Sequence, residues 1–248
     1  MRRLFVEDAA ISDIAIKITN KEDINYLSDV LRMRPGDDLF VSDGTSRAFE
    51  TRIESLSKTL IELLIIKECP FDYGYKTLIT LYQGLTKGSK MDDVVRKSTE
   101  LGVFRIVPVV TERSITGRDG GVPAVKAERW SRIAEEAARQ SRRTVIPEVE
   151  KTVSFDVALA SLKIEGYDRV IVLFELEEKN TLKDVLRNSI PECSKIAVFI
   201  GPEGGFEQEE IDRLISGGAE AVTVGETILR TETAGPAAIA MILYELEL

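Results

Sequence analysis

Hydrophobic and polar residues along positions 1–70 follow a pattern that predicts a small unit rich in β-strands. Short alternating or apolar stretches bounded by turn residues are typical of strands with one buried face. The predicted strands are 4–6, 14–18, 38–44, 46–56 and 59–68, and the last two form a hairpin. Ile24, Leu27, Val30 and Leu31 recur at helical spacing and predict a helix over 22–33. Strands this short and closely spaced favour a small β-barrel over residues 1–70.

From residue 76 onward the pattern changes to an alternation of apolar strands and amphipathic helices. The predicted strands are 78–83, 104–110, 169–175, 195–201 and 221–225. The predicted helices are 89–102, 122–141, 208–218 and 231–248. The runs 169–175 and 195–201 are continuously apolar, which indicates strands covered on both faces. This alternation predicts an α/β domain with a mainly parallel sheet over 76–248, and the aperiodic segment 69–75 is the expected linker.

Four residues refine the element boundaries. Ser89 is a candidate N-cap and Gly102 a candidate C-terminal stop for the helix 89–102. Pro108 lacks a backbone N–H, so its strand is expected to end there or to lie near an edge of the sheet. Pro123 stands in the first turn of the predicted helix 122–141, where proline is tolerated.

The composition excludes whole classes of chemistry. The chain has 248 residues, of which 44% are hydrophobic, and this is enough for one or two globular domains with real cores. It contains no histidine, which rules out Ser–His–Asp and Cys–His nucleophile systems and HExxH zinc sites. Cys69 and Cys193 are isolated, so zinc ribbons and disulfide scaffolds are not expected. No membrane span or secretory signal is evident, and a reducing cytoplasm is the expected location.

Charge is distributed unevenly along the chain. The net charge is −9, which taken alone argues against a polyanionic partner. Residues 76–143 nevertheless carry a net charge of +6, whereas residues 191–248 carry −8. Because binding depends on the local field, the basic middle of the chain leaves nucleic acid open as a partner. Charged helix faces that are simply solvated remain the alternative explanation.

Two segments at predicted strand ends are candidates for chemistry, because ligands in open α/β sheets bind beyond the carboxyl ends of the strands. The first is GPEGGF (201–206), where glycines let the backbone approach a ligand closely. The second is VGETILRTETAGPAA (224–238), where Thr231 or Thr233 can cap a helix that Arg230 precedes. Each segment by itself could be an ordinary turn or a capped helix with a surface arginine. Together, two such loops can form the walls of one pocket.

The pair GPEGGF and LRTETA (229–234) resembles the signature of the bacterial 16S rRNA uracil-N3 methyltransferase family, a branch of the SPOUT class of knotted methyltransferases. The resemblance covers nearly the whole chain. Its further segments are MRRLFV at the start, VLRMRPGD (30–37), KGSKMDDVVRKSTELGVFRIVPV (87–109), TERS (111–114) and RQSRRTVIP (139–147). In one departure, the histidine that this family usually carries near Tyr26 is missing here.

The resemblance implies an N-terminal PUA-like β-barrel that helps to bind RNA and a C-terminal SPOUT-type α/β domain with a deep trefoil knot. It implies S-adenosylmethionine as the cofactor, 16S rRNA or the small ribosomal subunit as the substrate, and a homodimer. It implies neither a metal nor a membrane partner. The residues expected to contact the cofactor are Phe174, Ile200, Gly201, Pro202, Gly204, Gly205, Val224, Gly225, Ile228, Leu229, Thr231 and Thr233.

In such an enzyme the uracil N3 must lose a proton before it can attack a methyl group. Arg230 is the candidate cation that stabilises the developing negative charge, and a structural salt bridge is the alternative role for it. Glu232, Glu203 or water is expected to accept the proton, because no histidine is available. The residues expected to contact RNA phosphates are Arg2, Arg3, Arg32, Arg34, Lys90, Arg139, Arg142 and Arg143.

Two other functions remain open on the sequence alone. Another SPOUT enzyme that methylates tRNA, a ribose or a different rRNA base would also carry the GPEGG loop. A non-catalytic RNA-binding or ribosome-assembly factor could have kept the fold, although intact GPEGG and LRTETA loops argue against it. Cofactor binding separates the enzymes from the non-catalytic factor.

Overall fold

The computed structural model describes residues 2–6, 10–12, 14–45, 47–70, 74–114, 124–187 and 195–247, and the side chains of α3 from residue 127 onward. The chain divides into two compact units. Unit 1 comprises Met1–Tyr73 together with Ser141–Ile146, and unit 2 comprises Gly74–Gln140 and Pro147–Leu248. Pro123 and Cys193 lie outside the described residues.

Unit 1 is built on a five-stranded sheet with the order β1-β3-β4-β5-β2. The strands are β1 (Arg2–Phe5), β2 (Ala15–Ile18), β3 (Asp38–Ser42), β4 (Ala48–Leu56) and β5 (Ile61–Cys69). The pair β1–β3 is parallel, and the remaining pairs are antiparallel. The predicted hairpin is therefore present as β4 and β5. Its apolar positions enter a core that includes Leu4, Ile16, Leu39, Phe49 and Leu63.

The short segment 141–146 belongs to unit 1 although it is distant in sequence. The Ser42 hydroxyl donates to the carbonyl of Thr144 at 2.9 Å, and the Ile146 N–H donates to the carbonyl of Gly44 at 3.1 Å. Sequence periodicity did not predict that 141–146 belongs to unit 1. A segment of six residues is too short to show a hydrophobic repeat, and it binds through hydrogen bonds to a distant segment.

The helix predicted over 22–33 begins as the α-helix α1 (Lys21–Asn25) and continues as a π-helical turn over Tyr26–Val30. In that turn the Leu31 N–H donates to the carbonyl of Tyr26 at 2.9 Å, which is an i→i−5 bond. The wider turn rotates Val30 away from the buried face, so Val30 is 67% exposed. The prediction that Val30 belongs to the apolar stripe is wrong for this reason.

Unit 2 contains a seven-stranded sheet with the order β12-β10-β11-β6-β7-β8, and β9 also pairs with β7. All of these pairs are parallel in the described part of the chain. The strands are β6 (Leu78–Gly84), β7 (Arg105–Val110), β8 (Glu148–Val149), β9 (Val153–Ser154), β10 (Arg169–Leu173), β11 (Lys195–Ile200) and β12 (Glu220–Val222). The prediction of a mainly parallel α/β sheet is confirmed.

Six helices accompany this sheet in the described residues. They are α2 (Lys90–Leu101), α3 (Ala124–Gln140), α4 (Phe155–Glu165), α5 (Leu182–Arg187), α6 (Gln208–Ser216) and α7 (Thr231–Glu247). Two apolar clusters cover the two faces: Ile196 and Val198 of β11 belong to one, while Ala197 and Phe199 belong to the other. The continuous apolar run of β11 thus reflects burial on both faces. None of the helices in the described residues is both long and apolar enough to cross a membrane.

Ser89 and Pro108 stand where the sequence placed them. Ser89 is the N-cap residue of α2, although its side chain makes no capping hydrogen bond. The prediction that Pro108 lies near an edge of the sheet is confirmed, because β7 is second from the edge, with β6 on one side and only the short strands β8 and β9 on the other. The proline is tolerated because β8 pairs only with Arg105 and Ile106, and β9 only with Val109 and Val110. Pro108 therefore sits in the gap where neither short strand needs its N–H.

Gly102 ends α2 as predicted, in a left-handed conformation with φ +107°. A Cβ there would collide with the ring of Tyr75 and approach Leu243 Cδ1 to 3.0 Å. Gly166 ends α4 in the same left-handed region, with φ +64°, but a Cβ there would meet no atom within 4 Å. An alanine at Gly166 would therefore cause backbone strain alone, whereas an alanine at Gly102 would cause backbone strain and a steric clash.

We expect Gly166→Ala to lower the free energy of unfolding by about 1–2 kcal/mol, which is the cost of a left-handed alanine. Gly102→Ala should cost a further 1–3 kcal/mol, on the order of the penalty for overpacking a core. Denaturant titration of both variants measures the difference. Equal losses for the two variants would show that Tyr75 and Leu243 move aside without cost.

Candidate active site

A cavity of about 950 Å³ lies at the carboxyl ends of three neighbouring strands of unit 2. Leu173 at the end of β10, Ile200 at the end of β11 and Val222 at the end of β12 line it. The remaining walls come from the loops that follow these strands, from the first residues of α7 and from Lys90 of α2. This is the position at which open α/β sheets bind ligands.

Most residues predicted to form the site line this one cavity. From the cofactor set they are Phe174, Ile200, Gly201, Pro202, Gly204, Gly205, Val224, Gly225, Ile228, Leu229 and Thr231. The proposed catalytic residues Arg230, Glu232 and Glu203 line it as well. Thr233 is exposed on α7 and is not among the lining residues. Lys90, which was predicted to contact RNA phosphate, lies in the cavity wall instead.

Thr231 joins the two signature loops. Its hydroxyl donates to the carbonyl of Gly201 at 2.6 Å and accepts a hydrogen bond from Gln83 Nε2 at 3.0 Å. Gln83 is fully buried at the end of β6, and its Nε2 also lies 3.4 Å from the carbonyl of Gly201. The predicted capping role of Thr231 is replaced by this tie, which fixes the start of α7 against the GPEGGF loop.

The same loop packs closely against β6. A Cβ on Gly84 would lie 2.6 Å from the backbone nitrogen of Pro202, and a Cβ on Gly201 would lie 2.9 Å from the carbonyl carbon of Gly205. No side chain fits at either position without moving backbone atoms. The glycines therefore allow β6 and the two halves of the loop to come together.

Arg113, from the TERS segment, holds the loop from its other end. Its guanidinium donates to both carboxylate oxygens of Glu207, at 2.7 and 2.9 Å, and to the carbonyl of Gly204 at 2.7 Å. The hydrogen bond from Arg113 lowers the pKa of the Glu207 carboxyl. Glu210 is buried, and its carboxylate accepts the backbone N–H groups of Glu112 and Glu207 at 3.0 and 2.9 Å. These acidic residues are thus anchors of the loop.

Charged side chains in the cavity wall form one group. Lys90 Nζ lies 3.0 Å from Glu203 Oε1 and 4.0 Å from Glu232 Oε2. The backbone N–H of Lys87 donates to Glu203 Oε1 at 3.0 Å. Partial burial raises the pKa of the Glu203 carboxyl, but hydrogen bonds from backbone N–H groups and from Lys90 outweigh it and leave this pKa below its ordinary value.

The lining has an excess of negative charge. Six glutamates face two cations: Glu175, Glu177, Glu178, Glu203, Glu226 and Glu232 against Lys90 and Arg230. Such a field favours a cationic ligand and disfavours a polyphosphate. No group of three or more metal-ligating side chains occurs in the described parts of the chain.

Arg230 is exposed next to this cavity wall. Within the described residues, no carboxylate lies at ion-pair distance from its guanidinium. The alternative role of Arg230 in a structural salt bridge therefore has no support in these residues. Its positive charge is available to a bound molecule.

Two arginines of unit 1 contact segments that carry other arginines of the predicted RNA-binding set. Arg2 donates to the carbonyl of Leu31 at 2.5 Å, which places it beside the segment that carries Arg32 and Arg34. Arg3 donates to the carbonyl of Arg142 at 2.5 Å, and its guanidinium stacks 4.8 Å above the ring of Phe40. These contacts join Arg2 to the segment 31–34 and Arg3 to the segment 141–146. Because Arg2 and Arg3 are neighbours on β1, their side chains leave the strand on opposite sides. Arg143 also makes interactions of its own.

Arg139 belongs to unit 2 and is engaged differently. Its guanidinium pairs with Glu135 one turn earlier on α3, at 2.7 Å. It also makes further interactions. Arg139 is therefore a weaker candidate for a phosphate contact than the arginines of unit 1.

Sequence reasoning missed several residues that support the cavity, chiefly Gln83, Gly84, Lys87 and Arg113. Gln83 gave a signal as a polar residue at the end of a mostly apolar strand, and Lys87 and Arg113 lie in two of the segments that carry the family resemblance. Their roles were not predicted, because they act through close backbone approach or through hydrogen bonds to distant segments, and such contacts leave no periodic pattern.

Comparisons with known proteins agree with this architecture. A family model described as an RNA methyltransferase domain matches residues 75–243, and one described as an RNA methyltransferase PUA domain matches residues 18–66. The "Ribosomal RNA small subunit methyltransferase E" of Bacillus subtilis is 30% identical to this chain, over 100% of the chain and 98% of the relative.

Solved structures are similar over the whole chain. The ribosomal RNA small subunit methyltransferase E of Neisseria gonorrhoeae, bound to S-adenosyl methionine, has a TM-score of 0.82 at 30% identity and covers 98% of this chain and 97% of its own. A putative methyltransferase of Legionella pneumophila with bound SAM has a TM-score of 0.80 at 29% identity, covering 98% and 96%. The predicted α/β fold and PUA domain are confirmed, while the trefoil knot stays a prediction. The chain therefore belongs to the family of PUA-containing RNA methyltransferases of the small-subunit ribosomal RNA methyltransferase E type.

Proposed function

We propose that this protein transfers a methyl group from S-adenosylmethionine to N3 of a uridine in 16S rRNA, in the assembled small ribosomal subunit. The observation that carries the proposal is the single cavity that both signature loops form, in a chain related along its full length to small-subunit rRNA methyltransferases. Another SPOUT methyltransferase or a non-catalytic RNA-binding factor would be the alternatives.

The cavity suits S-adenosylmethionine in size and charge. Its volume of about 950 Å³ admits a ligand of that size, and its excess of glutamates suits a cationic sulfonium. Backbone groups of the loops 201–205 and 224–229 would hold the polar parts of the cofactor, and Phe174 and Ile200 would provide apolar contacts. When bound, the cofactor supplies the methyl group on its positively charged sulfur.

Arg230 would stabilise the negative charge that develops on uracil as N3 loses its proton. A guanidinium stays charged at every physiological pH, so it provides this field without itself accepting a proton. Glu232 and Glu203 both line the cavity and are the candidate proton acceptors, with water as the third.

The arginines of unit 1 would bind RNA phosphates together with Arg139 of unit 2. Those of unit 1 are Arg2, Arg3, Arg32, Arg34, Arg142 and Arg143. Phosphate contacts position an RNA without reading its sequence. Recognition of one uridine must then come from the shape around it, which an assembled subunit presents.

A homodimer in the cytoplasm is the proposed working form. Met241 and Tyr244 of α7 are 43% and 71% exposed, and large apolar side chains exposed on one helix favour a protein contact. Light scattering at micromolar concentration should give about twice the chain mass of 27.6 kDa. A mass of one chain would contradict the dimer.

Gly225→Val should abolish binding of S-adenosylmethionine. Gly225 lines the cavity with φ +151°, and a Cβ there points into open space that a ligand would need. The control is Gly218→Val, which places the same side chain at φ +97° outside the cavity and should bind normally. Calorimetry measures the affinity. Unchanged cofactor affinity in a folded Gly225→Val protein would contradict this position of the ligand.

Small subunits that lack the modification should be methylated at uridine N3 much faster than protein-free 16S rRNA. The measurement is transfer of labelled methyl, followed by nucleoside analysis. Arg142→Glu should raise the Michaelis constant for subunits without changing cofactor affinity, whereas Lys183→Glu on α5 should not. Equal rates on both substrates would contradict the assembled-subunit proposal. Label on a ribose or on another base would contradict the proposed function itself.

A further inference from the structure

Glu203 and Glu232, the two candidate proton acceptors in the cavity, differ in the hydrogen bonds that their carboxylates accept. Glu203 Oε1 accepts hydrogen bonds from the Lys87 backbone N–H and from the Lys90 ammonium, both at 3.0 Å. No described residue donates a hydrogen bond to the Glu232 carboxylate. Its side chain is only 15% exposed, and Oε2 is fully buried. Glu203 is therefore engaged within the protein, while Glu232 lacks a donor.

A buried acceptor without a donor costs roughly 1–3 kcal/mol, and more when it is charged. A ligand that offers an N–H to this carboxylate recovers that free energy on binding. Lys90 Nζ lies 4.0 Å from Glu232 Oε2, too far for a hydrogen bond but near enough to balance the charge. The pair thus presents a carboxylate acceptor beside an ammonium donor.

We propose that Glu232 accepts the N3 proton of the target uracil, and that Lys90 donates a hydrogen bond to the uracil carbonyl oxygen next to N3. This inference rests on the proposed function. The edge of uracil presents N3–H between two carbonyl oxygens, so a carboxylate beside a cationic donor is complementary to it. Glu203 is a positioning residue that holds Lys90 in place.

The step balances without a further reactant. The N3–H proton passes to a carboxylate oxygen of Glu232, and the N3 electron pair forms the new bond to the methyl carbon. The bond from that carbon to the sulfonium sulfur breaks, and its electron pair stays on sulfur. Negative charge moves from the carboxylate to the uracil ring as the proton leaves. Lys90 and Arg230 both line the cavity, where their positive charges stabilise this negative charge.

This assignment changes the role that sequence reasoning gave to Lys90. A phosphate next to Lys90 would also meet Glu203 and Glu232, and like charges at that distance repel. An uncharged base that offers a hydrogen-bond donor to the carboxylate meets no such repulsion. The base, and not the backbone, is therefore the part of the RNA that fits beside Lys90.

The test is the pH dependence of methyl transfer by Glu232→Gln, an isosteric amide that cannot accept the proton. At neutral pH the rate should fall by about 10²–10⁴, the usual contribution of a general base. Between about pH 7 and pH 9 the remaining rate should rise about tenfold per unit, since only uridine that is already ionised reacts. The wild-type rate should stay nearly level over this range. The affinity for S-adenosylmethionine, measured by calorimetry, should change less than about threefold.

Four comparison variants make the result specific. Glu209→Gln, the same exchange at an exposed position of α6 outside the cavity, should behave as wild type. Arg230→Ala should lower the rate by about 10²–10³ but keep the level pH profile, because it removes a charge and not the base. Lys90→Met should also keep the level profile at a reduced rate, and Lys90→Arg should restore most of that rate because it restores the cationic donor.

A pH profile that stays level in Glu232→Gln would overturn the inference. A steep rise with pH in Glu203→Gln, with a level profile in Glu232→Gln, would assign the proton to Glu203. A loss of cofactor affinity greater than tenfold in Glu232→Gln would assign this carboxylate to the cofactor. If instead the wild-type protein places no methyl group on uridine N3, the proposed function itself is contradicted. That outcome is distinct from every result above, because each of those requires methyl transfer by the wild-type protein.

Discussion

The hydrogen bonds that Thr231 makes to Gly201 and Gln83 are the constraint on which the cavity depends. The hydroxyl uses its donor for the Gly201 carbonyl and its acceptor for the Gln83 amide, so it is satisfied inside the protein at both functions. Because buried polar groups without partners are costly, the three residues stabilise one another only when both loops are in place. The start of α7 and the GPEGGF loop are therefore held in a fixed position relative to each other. The residues that follow Thr231 on α7 are fixed with them.

Close backbone packing reinforces this tie. Gly84 lets β6 approach Pro202, and Gly201 lets the two halves of the loop approach each other. Arg113 holds the far end of the loop through Gly204 and Glu207. A loop fixed at both ends is preorganised, which lowers the entropic cost of binding a ligand. Glu207 and Glu210 take part in this anchoring, whereas the glutamates that line the cavity give it a negative field.

Charge explains how an acidic protein can still bind RNA. Acidic residues dominate residues 191–248, which include the cavity loops, whereas six of the arginines predicted to bind RNA belong to unit 1. Binding depends on the local field more than on the total charge. The net charge of −9 therefore does not describe the field that an RNA meets at the arginines of unit 1.

The sequence by itself determined the class of fold and the two segments that form the cavity. Periodicity located β11 and α7, because burial on one or both faces imposes a repeat that tertiary structure must respect. Glycines at a strand end likewise marked the GPEGGF loop, since close backbone approach requires them. Only the tertiary structure decided that residues 141–146 join unit 1, that Lys90 lies between two carboxylates, and that Thr231 ties two loops and does not cap a helix. Each of these depends on one contact between segments far apart in sequence, and a single long-range contact imposes no local pattern that a sequence could display.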